Sequence, residues 1–131
     1  MALGNFTEEM VDLAKVYHEA LRVYCSTIGQ TLEPWDEAPE WKRQSSIKNV
    51  TEHFFKIRRG DYIHPNETHD KWMKERIEQG WIYGPVKDEN KKTNPCLVAY
   101  GQLPITERLK DYLLIGIVHA FVRTGLYGNS I

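Results

Sequence analysis

Apolar residues recur along the first stretch at Met10, Leu13, Tyr17, Ala20, Leu21, Tyr24 and Ile28. Steps of three and four residues put them on one face of a helix. Thr7 precedes the run as an N-cap, and Glu8 and Glu9 suit the positive end of the helix. Gly29 is a natural stop. The segment QTLEPWDEAPEW carries two prolines and reads as a loop. A second helix is expected from near Pro39 to just before Gly60, with Trp41, Ile47, Val50, Phe54 and Ile57 on its apolar face. The polar connector RRGDYIHPNE leads to a third helix, from Pro65 or Thr68 to Gln79, with Trp72, Met73 and Ile77 as its apolar residues and Gly80 as its stop.

The period then changes. Residues 81–86 and 96–100 are rich in aromatic and β-branched side chains and predict two extended segments around the loop KDENKKTN. Pro85 has no N–H for a ladder, so this hairpin is short or lies at an edge. Pro104 starts a last helical region. Asp111 is placed as the cap of its main part, and Leu113, Leu114, Ile117, Val118 and Phe121 as its buried face. Gly125 ends it, and residues 126–131 read as a tail. The expected fold is mainly α, with four to five helices and one small antiparallel β-hairpin. It forms one domain over residues 1–131, with a core from about 10 to 122.

Composition narrows the function classes. A chain of 131 residues can bury one sizeable core. Its 17 basic and 18 acidic residues nearly cancel, so no bulk attraction to nucleic acid or to a membrane surface is expected. The basic groups Lys42–Arg43, Lys56–Arg59 and Lys87–Lys92 are each interleaved or flanked by acids. The longest apolar stretch, Leu113 to Val118, is too short to span a bilayer, and the first residues lack the pattern of a secretory signal. Cys25 and Cys96 are the only cysteines, both in apolar runs, and read as buried free thiols in a reducing compartment. The expected location is the cytoplasm.

The residues give no catalytic constellation. No nucleophile elbow, phosphate loop or dinucleotide fingerprint is present. His18 and Glu19 are neighbours that point apart on a helix, and His64 and His69 are poorly spaced for one metal ion. Cys96, between Pro95 and Leu97, reads as buried rather than activated. The chain is therefore expected to be non-enzymatic, with no metal and no cofactor. Trp72 and Arg76 stand at i and i+4 and share a helix face. A flat aromatic beside cations suits an adenine ring beside phosphates. The same two residues also fit a core position and a solvated side chain.

The stretch from His69 to Tyr112 carries a dense set of motif elements. They are His69-x-x-Trp72, Gly80-Trp81-x-Tyr83-Gly84-Pro85, Asp88, Asn90-Lys91, Pro95-Cys96-Leu97-Val98, Leu103-Pro104 and Glu107-Arg108. With the helices before it, this pattern resembles the RyR domain, which is repeated in ryanodine receptor calcium channels and occurs singly in bacterial and phage proteins. The resemblance extends over about residues 10–122. It implies an RyR-like helical fold and an adenine nucleotide held between paired copies. The ligand-binding positions it carries over are Trp72, Arg76, Lys87 and Cys96. Lys87 stands where the channel repeats usually have arginine, so a point charge replaces a bidentate fork.

Energies then bear on stoichiometry. One base stack gives roughly 1–3 kcal/mol, and hydrogen bonds to charged groups about 1.5–3 kcal/mol each. Association costs at least about 4 kcal/mol, so a single copy binds at roughly millimolar level. Two copies that sandwich the base between their Trp72 rings roughly double the favourable terms, enough for about micromolar binding. The expected protein is thus a binding or sensor module for an adenine-type nucleotide, such as ADP-ribose, working as a homodimer. The alternative is a protein-interaction or assembly domain with no small ligand.

Overall fold

The structure is a computed structural model, and it describes residues 7–124. The expected helix stop at Gly125 and the tail at 126–131 lie outside those residues. Four α-helices are described: α1 (Glu8–Thr27), α2 (Glu40–Arg58), α3 (Pro65–Glu78) and α4 (Ile105–Thr124). Short 3-10 turns occupy Trp35–Glu37 and Tyr100–Gln102, and two strands, β1 (Ile82–Tyr83) and β2 (Thr93–Asn94), form one small sheet. No helix among the described residues is long and apolar enough to cross a membrane.

The chain divides into two compact units. The first holds the residues up to Ile63 and those from Leu113 onward; the second is His64–Tyr112. In the first unit, the Thr7 hydroxyl accepts from the Met10 N–H at 3.3 Å, as its capping role requires. The α1 and α2 stripes bury Met10, Leu13, Ala14, Ile47, Val50, Phe54 and Ile57, and Leu114 and Val118 of α4 complete the same cluster. Leu13, Ile47, Val50, Leu114 and Val118 are at most 1% exposed, so this core is dry and tightly filled. Trp41, expected on the buried face of α2, is 40% exposed instead. His18 is buried in the same unit. Its Nε2–H donates to the Glu33 carbonyl at 2.7 Å, and its ring meets the edge of Trp35 at 5.6 Å. Lys42 pairs with the Glu33 carboxylate at 3.0 Å. Together these contacts fasten the proline-rich connector.

The second unit departs from expectation in three places. The two strands are parallel, with Ile82 opposite Thr93 and Tyr83 opposite Asn94, rather than an antiparallel hairpin. The chain reverses twice between them. It turns first through Gly84-Pro85-Val86, then around residues 89–92, where Asp88 and Thr93 form an antiparallel bridge. Two reversals restore the original direction. The Asp88 carboxylate accepts from the N–H groups of Asn90 and Lys91, and Lys92 takes a left-handed φ of 56° to close the tip. Gly84 makes the crossing possible, because a Cβ there would lie 2.7 Å from the Cβ of Thr93. The second strand therefore lies at Thr93–Asn94 and not at 96–100, where the chain instead leads into the 3-10 turn.

The other two departures concern helices. Asp111 sits inside a continuous α4 and caps nothing, since the helix already begins after Pro104. On α3 the buried residues are Thr68 and His69, whereas Ile77 is 57% exposed. The helix ends held to expectation. Glu67 accepts from the His64 N–H at 3.1 Å at the start of α3. At its end Gly80 has φ of 92°, which lets the Trp81 N–H reach back to the Arg76 carbonyl at 2.9 Å.

Candidate functional site

All four expected ligand-binding residues lie in the second unit. Helix α3 presents Trp72, which is half-buried and so neither a core residue nor a fully open platform. Two side chains of the same helix hold its indole. His69 stacks on it with ring centroids 5.5 Å apart and planes 30° apart. The Arg76 guanidinium lies over it at 5.8 Å. With a rise of about 1.5 Å per residue, His69 sits about one turn before Trp72 and Arg76 about one turn after it.

His69 is the best-fixed group of this set. It is only 4% exposed, and its Nε2–H donates to the Val98 carbonyl at 2.7 Å. The carbonyl can only accept, so the proton sits on Nε2. Its ring also tilts against Tyr100 at 5.8 Å. His69 was legible in the sequence as a motif partner of Trp72. Its bond to Val98 joins residues far apart in the chain, and no spacing rule exposes it. Arg76 is half-buried, and burial draws its pKa below the usual arginine value. One of its terminal nitrogens donates to the Gln79 amide oxygen at 3.2 Å.

Lys87 and Cys96 form a second grouping. Lys87 is exposed, and its charge acts on the half-buried Cys96 thiol. The strongest influences on that thiol are different. Burial pushes its pKa up to about 11, and the Glu107 carboxylate, which accepts the S–H at 3.5 Å, pushes the same way. Glu107 is itself paired with Lys110 at 2.8 Å. Cys96 is thus a protonated thiol at neutral pH and unsuited to nucleophilic attack. Cys25, in the first unit, is buried and free.

Sequence reasoning missed the α4 residues between these groupings. Asp111 is pushed up to about 7, mainly by burial, with Glu107 adding to the effect and Lys110 opposing it. Its charge also helps raise the pKa of Tyr100, although burial is the larger cause there. The resulting series runs from Trp72 through His69 and Tyr100 to Asp111, Glu107 and Cys96. The i, i+4 spacing of Glu107 and Asp111 was visible in the sequence, but nothing local showed that both would be drawn inward. In the polar loop, Lys92 serves the fold: its ammonium donates to the Gln79 carbonyl at 2.7 Å, a cation at the negative end of α3.

One family model, described as RyR domain, matches residues 63–122. The match takes in the whole of the second unit and most of α4, and it leaves α1 and α2 outside.

Proposed function

The chain carries a domain of the RyR family over residues 63–122, and from that premise we propose that it is a non-enzymatic binding module for an adenine-type nucleotide. The observation that carries this reading is the half-buried Trp72 indole with the Arg76 guanidinium 5.8 Å over it. An adenine ring finds a stacking surface there and its phosphates find a partly desolvated cation. The protonated Cys96 supports a binding role over covalent chemistry. Two copies share the ligand in this proposal, each supplying one Trp72. The cytoplasm is the proposed location.

Calorimetric titration of the full chain with ATP, ADP, ADP-ribose and cyclic ADP-ribose tests the reading, with Trp72→Ala in parallel and its fold checked by circular dichroism. We expect binding of about micromolar strength, lost in the variant. No heat from any ligand at protein concentrations that favour a dimer would remove the reading. Product analysis after the titration checks for turnover, which would move Asp111 from bystander to acid–base group.

A second reading, an assembly domain, draws support from another feature of the same unit. Ile105, Leu109 and Tyr112 stand at i, i+4 and i+7 on α4 and are 56%, 42% and 54% exposed. Such a stripe suits a protein partner. Association that survives Trp72→Ala but not Leu109→Asp would favour it.

A further inference from the structure

We infer that His69 is the positioning residue of this site: anchored on the Val98 carbonyl, its ring keeps the Trp72 indole ordered before a ligand arrives. The inference rests on the nucleotide-binding reading and names what that reading needs beside its stacking surface. A half-buried tryptophan has several staggered rotamers open to it, and a ligand that must first select one of them loses affinity. Trp72 is spared that cost by its neighbour one turn earlier on α3. The two rings stack with centroids 5.5 Å apart and planes 30° apart, within the range of a favourable aromatic pair.

His69 is built to act through Trp72 rather than on a ligand. It is 4% exposed, so a ligand on the indole does not reach it. Its Nε2–H donates at 2.7 Å to a carbonyl 29 residues along the chain, and the Tyr100 ring tilts against it at 5.8 Å. The orientation of the indole is therefore set from outside α3. The segment that sets it also carries Cys96, two residues before Val98. One hydrogen bond thus ties the helix that bears Trp72 to the segment that bears Cys96. Ring and bond have separable tasks: the ring orders Trp72, and the bond orders the ring. Phenylalanine keeps the ring without the donor. Glutamine keeps an N–H donor at a similar reach without the ring.

Calorimetric titration of the full chain with ADP, in wild type, His69→Gln and His69→Phe, tests the role. Circular dichroism and thermal melts confirm that the variants fold. The state of the indole is read from the Trp72 side-chain N–H resonance in the ligand-free protein, assigned by its loss in Trp72→Phe. In His69→Gln the resonance should move toward that of free tryptophan, and ADP should weaken about fivefold, the cost of ordering one released side chain. In His69→Phe the resonance should stay near its wild-type position, and ADP should weaken at most about twofold. A residue that serves packing alone would lower the melting temperatures without separating the two affinities. Equal weakening in both variants, no weakening in either, or an unmoved resonance in His69→Gln would overturn the positioning role and leave the nucleotide reading standing on the wild-type titration. If the wild type itself gives no heat with ADP, the nucleotide reading falls and takes the positioning role with it.

Discussion

The two units of this chain are held together by different physics. The first is organised around aliphatic side chains that are almost wholly removed from water: Leu13, Ile47, Val50, Leu114 and Val118. Its polar anchors, His18 and the Lys42–Glu33 pair, secure one connector and leave the core apolar. The second unit buries fewer apolar groups, among them Trp81, Leu97 and Leu103, and relies on directional contacts. His69 bonds to Val98, Lys92 to the end of α3, and Thr93 to Val86. The family match covers the second unit entirely. A hydrophobic cluster tolerates volume-conserving swaps, but a network of named donors and acceptors does not. Arg76, Cys96 and Asp111, half-buried groups with shifted acidities, lie in the unit built that way.

Removing apolar volume from the first unit should have the largest effect. Leu13→Ala is expected to cost about 2–5 kcal/mol in urea unfolding, because the tightly filled core cannot collapse around the cavity. A loss below about 1 kcal/mol would mean that this core is looser than its burial implies, and the contrast between units would blur.

A smaller effect of opposite sign is expected in the second unit. The unfolded chain ionises Asp111 near 3.8, while the folded chain keeps its proton up to about 7. The folded state is therefore increasingly penalised as pH rises from 3.8 to 7, and the penalty is constant above that. Asp111→Asn should stabilise the protein by about 1–2 kcal/mol at pH 8, after allowance for solvent screening of the exposed part, and by almost nothing at pH 3.5. Thermal melts at the two pH values measure the difference. Equal stabilisation at both would show that burial of the carboxylate charge is not the cause.

The smallest change is kinetic and separates burial from charge at Cys96. A thiol raised from 9.0 to about 11 should react with iodoacetamide at pH 8 roughly a hundredfold more slowly than an ordinary cysteine. Glu107→Gln removes the neighbouring negative charge and should speed the reaction severalfold without unfolding the protein. Peptide mapping by mass spectrometry follows Cys96 alone. An unchanged rate would assign the whole effect to burial.

The same contrast explains what was legible in the sequence. Helix ends are set by local chemistry, so Thr7, Pro39, Pro65, Gly29 and Gly80 mark them correctly. The α1 and α2 stripes were readable because a dry core imposes helical periodicity. The second unit follows no such period. Residues 96–100 have a strand's composition, yet the pairing went to Thr93–Asn94, because two turns and the missing Cβ of Gly84 decide where the chain crosses itself. Asp111 looks like a cap from its type alone, but Pro104 had already supplied the helix start. At the site, the Trp72–Arg76 pair follows from i, i+4 geometry. The grip of His69 depends on a carbonyl supplied by a distant segment, which no local rule reveals.

The division of the first unit along the chain has a consequence for biosynthesis. Its core needs Leu114 and Val118, which follow the whole of residues 64–112. On a ribosome, α1 and α2 can pack against each other, but the apolar surface that Leu114 and Val118 cover stays open while the second unit is made. The contacts of that unit between strands, and between Lys92 and α3, close over short loops and can form almost as soon as they emerge. The segment with the directional network thus has the chance to order first, and the older helices stay exposed to chaperones or to each other until the last one arrives.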